Sequence, residues 1–139
     1  AIAAILAMFA GFYYWFAKMT GYMYSEGLAQ LQFWVFFVGV NVLFFPQHFL
    51  GMAGMPRRIP DYPEAYAGWN YVSSIGALIT IVGTVLFFVV IWKAFKDAVA
   101  APANPWGEGA TTLEWTVDSP APFHTHEQMP DMTTKAPAE

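Results

Sequence analysis

Cysteine is absent from the 139 residues, which excludes disulfides and thiolate metal sites. Charge is scarce: only 12% of the residues are charged, and the six Lys and Arg residues form no basic array that could follow a nucleic-acid backbone. No Gly-rich phosphate loop, no carboxylate pair at acid/base spacing and no Ser/His/Asp constellation is present, so the chain carries no catalytic centre of its own. What remains is apolar. With 57% hydrophobic and 19% aromatic residues, the composition is too greasy for a soluble domain of this size and belongs in a bilayer. The formal charge of -4 comes largely from the C-terminal segment and says nothing about a polyanionic partner.

Three uncharged runs organise the chain. Residues 1–17 are apolar up to the first charge at Lys18, where a helix would reach the interface. A bilayer core requires about 20 helical residues, so this run is a short transmembrane helix or part of a longer one. It lacks the basic start of a signal peptide. Without an initiator Met at Ala1, the chain is expected to be processed or cut, and a split subunit is one expected origin. Residues 28–50 are uncharged and long enough to span with some tilt, with Pro46 near the end, where the lost backbone hydrogen bond costs least or bends the helix. Residues 51–67 hold Pro56, Pro60 and Pro63 and cannot form a regular helix; they read as an interfacial loop with aromatic anchors such as Tyr62 and Tyr66. Residues 68–92 form the third run. Its Ser73, Ser74, Gly76, Ala77, Thr80, Gly83 and Thr84 recur at spacings of three and four, which allows close helix packing. Residues 93–139 change to Pro, Thr, Glu and Asp and read as a polar, irregular tail, either packed or disordered. The fold class is therefore an all-α membrane protein, with two complete transmembrane helices plus one partial or short one, belonging to a larger helical bundle.

Three spans place Lys18, Lys93 and Lys96 on one side and Arg57 and Arg58 on the other. The positive-inside rule favours the lysine side as cytoplasm or matrix, so the arginines serve something other than topology. Two adjacent arginines beside hydrocarbon call for an anion. Lipid phosphate is one partner; a carboxylate matched by planar paired donors is another. His48, at a helix end, reads as a hydrogen-bonded interfacial residue and not as a ligand. His124 and His126, near Glu127, have a spacing that can hold zinc but lack a third and fourth ligand, so a surface pair is the simpler reading. The aromatics Phe33, Trp34, Phe36, Phe37, Phe44, Phe45 and Phe49 suit lipid, packing or the wall of a flat macrocycle equally. Gln32 and Asn41 lie at membrane depth and should face protein.

Several stretches together carry a family resemblance: Ala10-Gly11-Phe12-Tyr13-Tyr14-Trp15-Phe16, Gly39-Val40-Asn41, Phe44-Phe45-Pro46-Gln47-His48-Phe49-Leu50-Gly51, Gly54-Met55-Pro56-Arg57-Arg58, Trp69-Asn70, Ser73-Ser74, Thr112-Leu113-Glu114-Trp115 and Ser119-Pro120. In this order they resemble the end of subunit I of the haem-copper cytochrome c oxidases, from the tenth of its twelve helices to the C-terminal extension. The resemblance implies that Arg57 and Arg58 contact the propionates of haem a and haem a3. It also implies that Asp61 lies near a cation site or an outer polar network, and that the iron and copper B ligands belong to a portion of the subunit preceding Ala1. Gln32 stands where the family commonly has histidine and Ala17 where it commonly has proline, so roles attached to those residues do not transfer.

The function expected from the resemblance is that of the C-terminal part of a proton-pumping oxidase that reduces oxygen to water with cytochrome c electrons. The alternative is a non-catalytic membrane scaffold or assembly subunit derived from it. Expected partners are the remaining N-terminal portion of subunit I, other oxidase subunits and membrane lipids, with no nucleic acid. The expected location is the mitochondrial inner membrane, or alternatively a bacterial plasma membrane.

Overall fold

The computed structural model describes residues 2–126. Three α-helices carry the fold: α1 (Ile2–Thr20), α2 (Glu26–Met52) and α3 (Ala67–Asp97), with short 3-10 turns at Glu64–Tyr66 and Leu113–Thr116. All three helices are long and apolar enough to cross a membrane. Among the described residues there is no strand, only an isolated antiparallel bridge between Tyr22 and Ala100. The described residues group into two compact units, one spanning Ser25–Lys93 and the other combining residues 2–24 with residues 94–126.

In the first unit, α2 and α3 approach to backbone contact. In a bilayer the hydrophobic effect does not drive helices together, so van der Waals contact and interhelical hydrogen bonds must do so. Ser73 and Gln32 are buried, and the small residues of α3 meet α2 directly. A Cβ on Gly76 would lie 2.2 Å from the Leu43 amide nitrogen, one on Gly83 would lie 2.9 Å from the Phe36 Cα, and one on Gly39 would lie 2.7 Å from Thr80 atoms. Two interhelical hydrogen bonds flank these contacts. The Ser73 hydroxyl donates to the Leu43 carbonyl at 2.9 Å, and the Gln32 amide donates to the Gly83 carbonyl at 3.3 Å. Of the small residues on α3, those at 73, 76, 80 and 83 form the packing face, whereas Ser74 is exposed and returns its hydroxyl to the Asn70 carbonyl. Pro46 lies inside α2, six residues before its end. Having no N–H, it leaves a helical carbonyl one turn back without its usual donor, and the Ser73 hydroxyl arrives in this region from the neighbouring helix.

The second unit is built around Tyr14 and Trp115. α1 ends at Thr20, whose hydroxyl donates to the Phe16 carbonyl at 2.8 Å, and Gly21, with φ 75°, donates its N–H to the Ala17 carbonyl. The chain then runs beside residues 99–101, joined by the Met23 N–H to the Val99 carbonyl and the Ala101 N–H to the Gly21 carbonyl. Trp106 stacks on Tyr14 with ring centroids 5.5 Å apart, and Trp115 meets Tyr14 edge-on and donates its indole N–H to the Tyr14 hydroxyl at 3.0 Å. Lys18 lies over the Trp115 ring and donates to the carbonyls of Val117 and Asp118. The tail from residue 98 to 126 is irregular but ordered by these contacts. Residues 127–139 lie outside the described residues.

Outside the membrane, hydrogen bonds from its own backbone N–H and from Thr112 hold the Glu114 carboxyl below the usual carboxylate range, with smaller help from Trp15 and the Lys18 charge. A depressed carboxyl stabilises the folded arrangement above its unfolded pKa and loses that contribution as pH falls through the folded value. Docking of the tail should therefore hold from neutral pH down to the ordinary glutamate value of 4.5 and weaken below it. Exchange of the Trp115 indole proton followed against pH checks this, and a Glu114→Gln variant should lose the dependence. In the helix pair, Gly76→Ala forces backbone apart and should cost about 1–3 kcal/mol, whereas Gly27→Ala, with nothing within 4 Å, should not destabilise. Denaturation in mixed detergent micelles compares the two.

Candidate functional site

The loop joining α2 to α3 carries the two arginines, and its shape follows from how α2 stops. Gly54 adopts φ 93°. Its N–H reaches the Gly51 carbonyl at 3.1 Å, while the Met55 N–H reaches back to the Leu50 carbonyl at 3.0 Å. This paired bonding is the Schellman ending that a glycine permits, and Pro56 then prevents further helix. The far side of the loop is set by Pro63, which precedes the 3-10 turn Glu64–Tyr66 leading into α3.

Side chains from the start of α3 pin the base of the loop to the end of α2. The Tyr66 hydroxyl donates to the Ala53 carbonyl at 3.1 Å. The Asn70 amide donates to the Tyr66 carbonyl at 2.9 Å and lies 3.6 Å from the Met55 sulfur. Phe49 and Trp69 pack with ring centroids 5.0 Å apart. The free stretch is thereby reduced to the few residues around Arg57 and Arg58.

Both arginines are exposed, and among the described residues neither guanidinium has a hydrogen-bond or ion-pair partner. Arg58 has φ 60°, a left-handed conformation that a residue with a Cβ adopts at a cost. Strain of this kind at a charged, exposed position points to a site where the direction of the side chain matters. The donor set suits an anion with flat, paired oxygens, since guanidinium forks match carboxylates in two parallel hydrogen bonds. The residues present therefore fit a carboxylate-bearing group such as a haem propionate.

The other sequence candidates are less equipped. Asp61 lies in the same loop, exposed, with one carboxylate oxygen accepting the Tyr62 N–H at 2.8 Å. Among the described residues there is no cluster of three or more His, Cys, Asp or Glu that could hold a metal ion, so Asp61 belongs to no such ligand set. His48 hydrogen-bonds through Nδ1 to the carbonyls of Phe44 and Phe45 at 3.1 and 3.3 Å, on its own helix. His124 and His126 are exposed, with His124 edge-on to Phe123, and Glu127 lies outside the described residues. Asn41 is exposed on α2 and donates to the Phe37 carbonyl at 2.8 Å, whereas Gln32 is buried in the helix interface. A shallow groove on α1, lined by Ala7, Gly11 and Trp15 among others, is almost wholly apolar and offers nothing to orient a polar ligand.

Sequence reasoning singled out Tyr66 as an interfacial anchor and Asn70 within a motif, but not the hydrogen bonds by which they staple the base of the loop or the left-handed backbone at Arg58. The signal for the staples was present in the aromatic and amide residues flanking the prolines. Substituting Arg58 by Gly should give a protein about 1 kcal/mol more stable than Arg58→Ala, because only glycine adopts the left-handed conformation freely. Paired thermal denaturation of the two variants measures the difference.

The model of the family described as cytochrome c and quinol oxidase polypeptide I matches residues 1–79, which include the whole loop and both arginines. A curated relative, cytochrome c oxidase subunit 1 of Cereibacter sphaeroides, is 50% identical over 130 residues. That alignment covers 93% of this chain and 23% of the relative, so the chain spans about a quarter of the length of the protein it matches.

Proposed function

Because the chain belongs to the cytochrome c and quinol oxidase polypeptide I family, we propose that it serves as the C-terminal part of the catalytic subunit of a cytochrome c oxidase. The observation that carries this reading is the pinned loop, which presents two sequence-adjacent, exposed arginines, unpartnered among the described residues, between two membrane-length helices. In this role Arg57 and Arg58 bind and orient the propionates of haem a and haem a3. Their positive charge also favours the more negative, reduced form of a nearby centre and so raises its potential. Haem and copper, when bound, supply electron transfer and the reduction of oxygen to water. By the family resemblance, the iron and copper B ligands would come from the N-terminal portion of the subunit.

The helices complete the bundle. The α2–α3 pair carries the loop between two membrane-length helices, and α1 with its docked tail adds a third span. Proton pumping belongs to the assembled complex, together with its other subunits. The placement is an energy-coupling membrane, mitochondrial inner or bacterial plasma, and the bacterial source of the 50% identical relative supports the latter.

Neutralising the arginines tests the assignment. Arg57→Gln and Arg58→Gln in the assembled complex should lower a haem midpoint potential on the order of 60 mV, a tenfold change in a one-electron equilibrium. Turnover with cytochrome c should fall in parallel. Redox titration followed by absorbance reads the first and oxygen consumption the second. Unchanged midpoints and turnover would falsify the propionate role and leave the chain as a membrane scaffold derived from the oxidase.

A further inference from the structure

The exposed sides of α2 and α3 differ in chemistry. On α2 the outward residues include Gln30, Asn41, Gln47 and His48, interspersed among Phe and Trp. Gln30, Asn41 and His48 each hydrogen-bond within α2, yet a surface that mixes such polar groups with aromatic rings is costlier against acyl chains than a purely apolar one, so this side suits protein or cofactor better than the exposed side of α3.

On α3 every exposed side chain from Ile75 to Val89 is aliphatic or phenyl. Leu78 is 65% exposed, Val85 56% and Phe88 63%. The hydroxyls close to this face are already satisfied within the helix: Ser74 donates to the Asn70 carbonyl, Thr80 to Gly76 and Thr84 to Thr80. Between Tyr71 and Trp92 these hydroxyls leave no free donor on the face. At the two ends stand Tyr71, 70% exposed, and Trp92, 63% exposed. They are 21 residues apart, a helical rise of ~31 Å, close to the ~30 Å hydrocarbon thickness of a bilayer. Tyr and Trp prefer the two interfacial levels, and Lys93 follows Trp92 directly, where the chain would leave the hydrocarbon.

We infer that the face of α3 running from Tyr71 through Leu78, Val85 and Phe88 to Trp92 contacts bilayer lipid, with acyl chains along its length and the two aromatic rings at the headgroup levels. The face opposite, at Ser73, Gly76 and Gly83, is the one closed against α2. This places α3 at the outer boundary of whatever assembly the chain belongs to, independently of what Arg57 and Arg58 hold.

The test uses the protein purified with its accompanying subunits and reconstituted into phosphatidylcholine nanodiscs that contain a membrane-partitioned diazirine probe. After photolysis, peptide mass spectrometry maps the adducts. Adducts at Leu78, Val85 and Phe88 are expected at least tenfold above those on α2 at Asn41 and His48. Two results would overturn the inference: an α3 face as unlabelled as α2, which would mean that another subunit or a second copy covers it, or equal labelling of both helices. A Val85→Lys variant gives an independent reading, because a lysine facing acyl chains should lower the yield of membrane-inserted protein severalfold, whereas one facing a protein groove with polar groups should not.

Discussion

The backbone-to-backbone approach of α2 and α3 is the constraint on which the candidate site depends. At Gly39, Gly76 and Gly83 no side chain separates the helices, so the spacing between them is fixed by main-chain atoms and cannot adjust by changing rotamers. In a medium where apolar surface gains nothing from burial, that close contact supplies dispersion, and the Ser73 and Gln32 bonds supply direction. Because the helices are held in this way, the ends of α2 and α3 stand at a set separation, and the connecting loop inherits a fixed span.

The loop turns that span into a charged platform. A Schellman ending at Gly54 and a proline at 56 stop α2, while the Tyr66 hydroxyl on the Ala53 carbonyl and the Asn70 amide at the Met55 sulfur hold the returning chain against the end of α2. What is left free is short, charged and bent through a left-handed Arg58. Two positive charges so placed cannot pair with each other, and among the described residues nothing pairs with them. Complementarity to an outside anion follows from this geometry.

Much of the fold was legible because the bilayer imposes simple rules. Uncharged runs of membrane length announced the helices, and the spacing of Ser73, Gly76, Thr80 and Gly83 announced the packing face of α3. The arginine pair stood out because charge is so scarce elsewhere. Less legible were features set by tertiary contact. Pro46 lies inside α2 near its end, as expected, whereas the Ser73 hydroxyl that bonds the Leu43 carbonyl beside it comes from the neighbouring helix and could not be read from the sequence. Lys18 marks an interface in the sequence, yet in the fold it caps the carbonyls of Val117 and Asp118 above the Trp115 ring. Composition left the tail open as packed or disordered because its order comes from Trp106 and Trp115 meeting Tyr14, which lies 92 and 101 residues away in sequence.

The most direct test of the central claim is to purify the protein gently through a tag on the C-terminal segment. Reduced-minus-oxidised difference spectra and intact-mass analysis of everything that accompanies it then give the answer. The account predicts haem A bands together with polypeptide carrying the iron and copper ligands, whether continuous with this chain or separate from it. A haem-free protein, with no haem-binding polypeptide at any stage of purification, would contradict it.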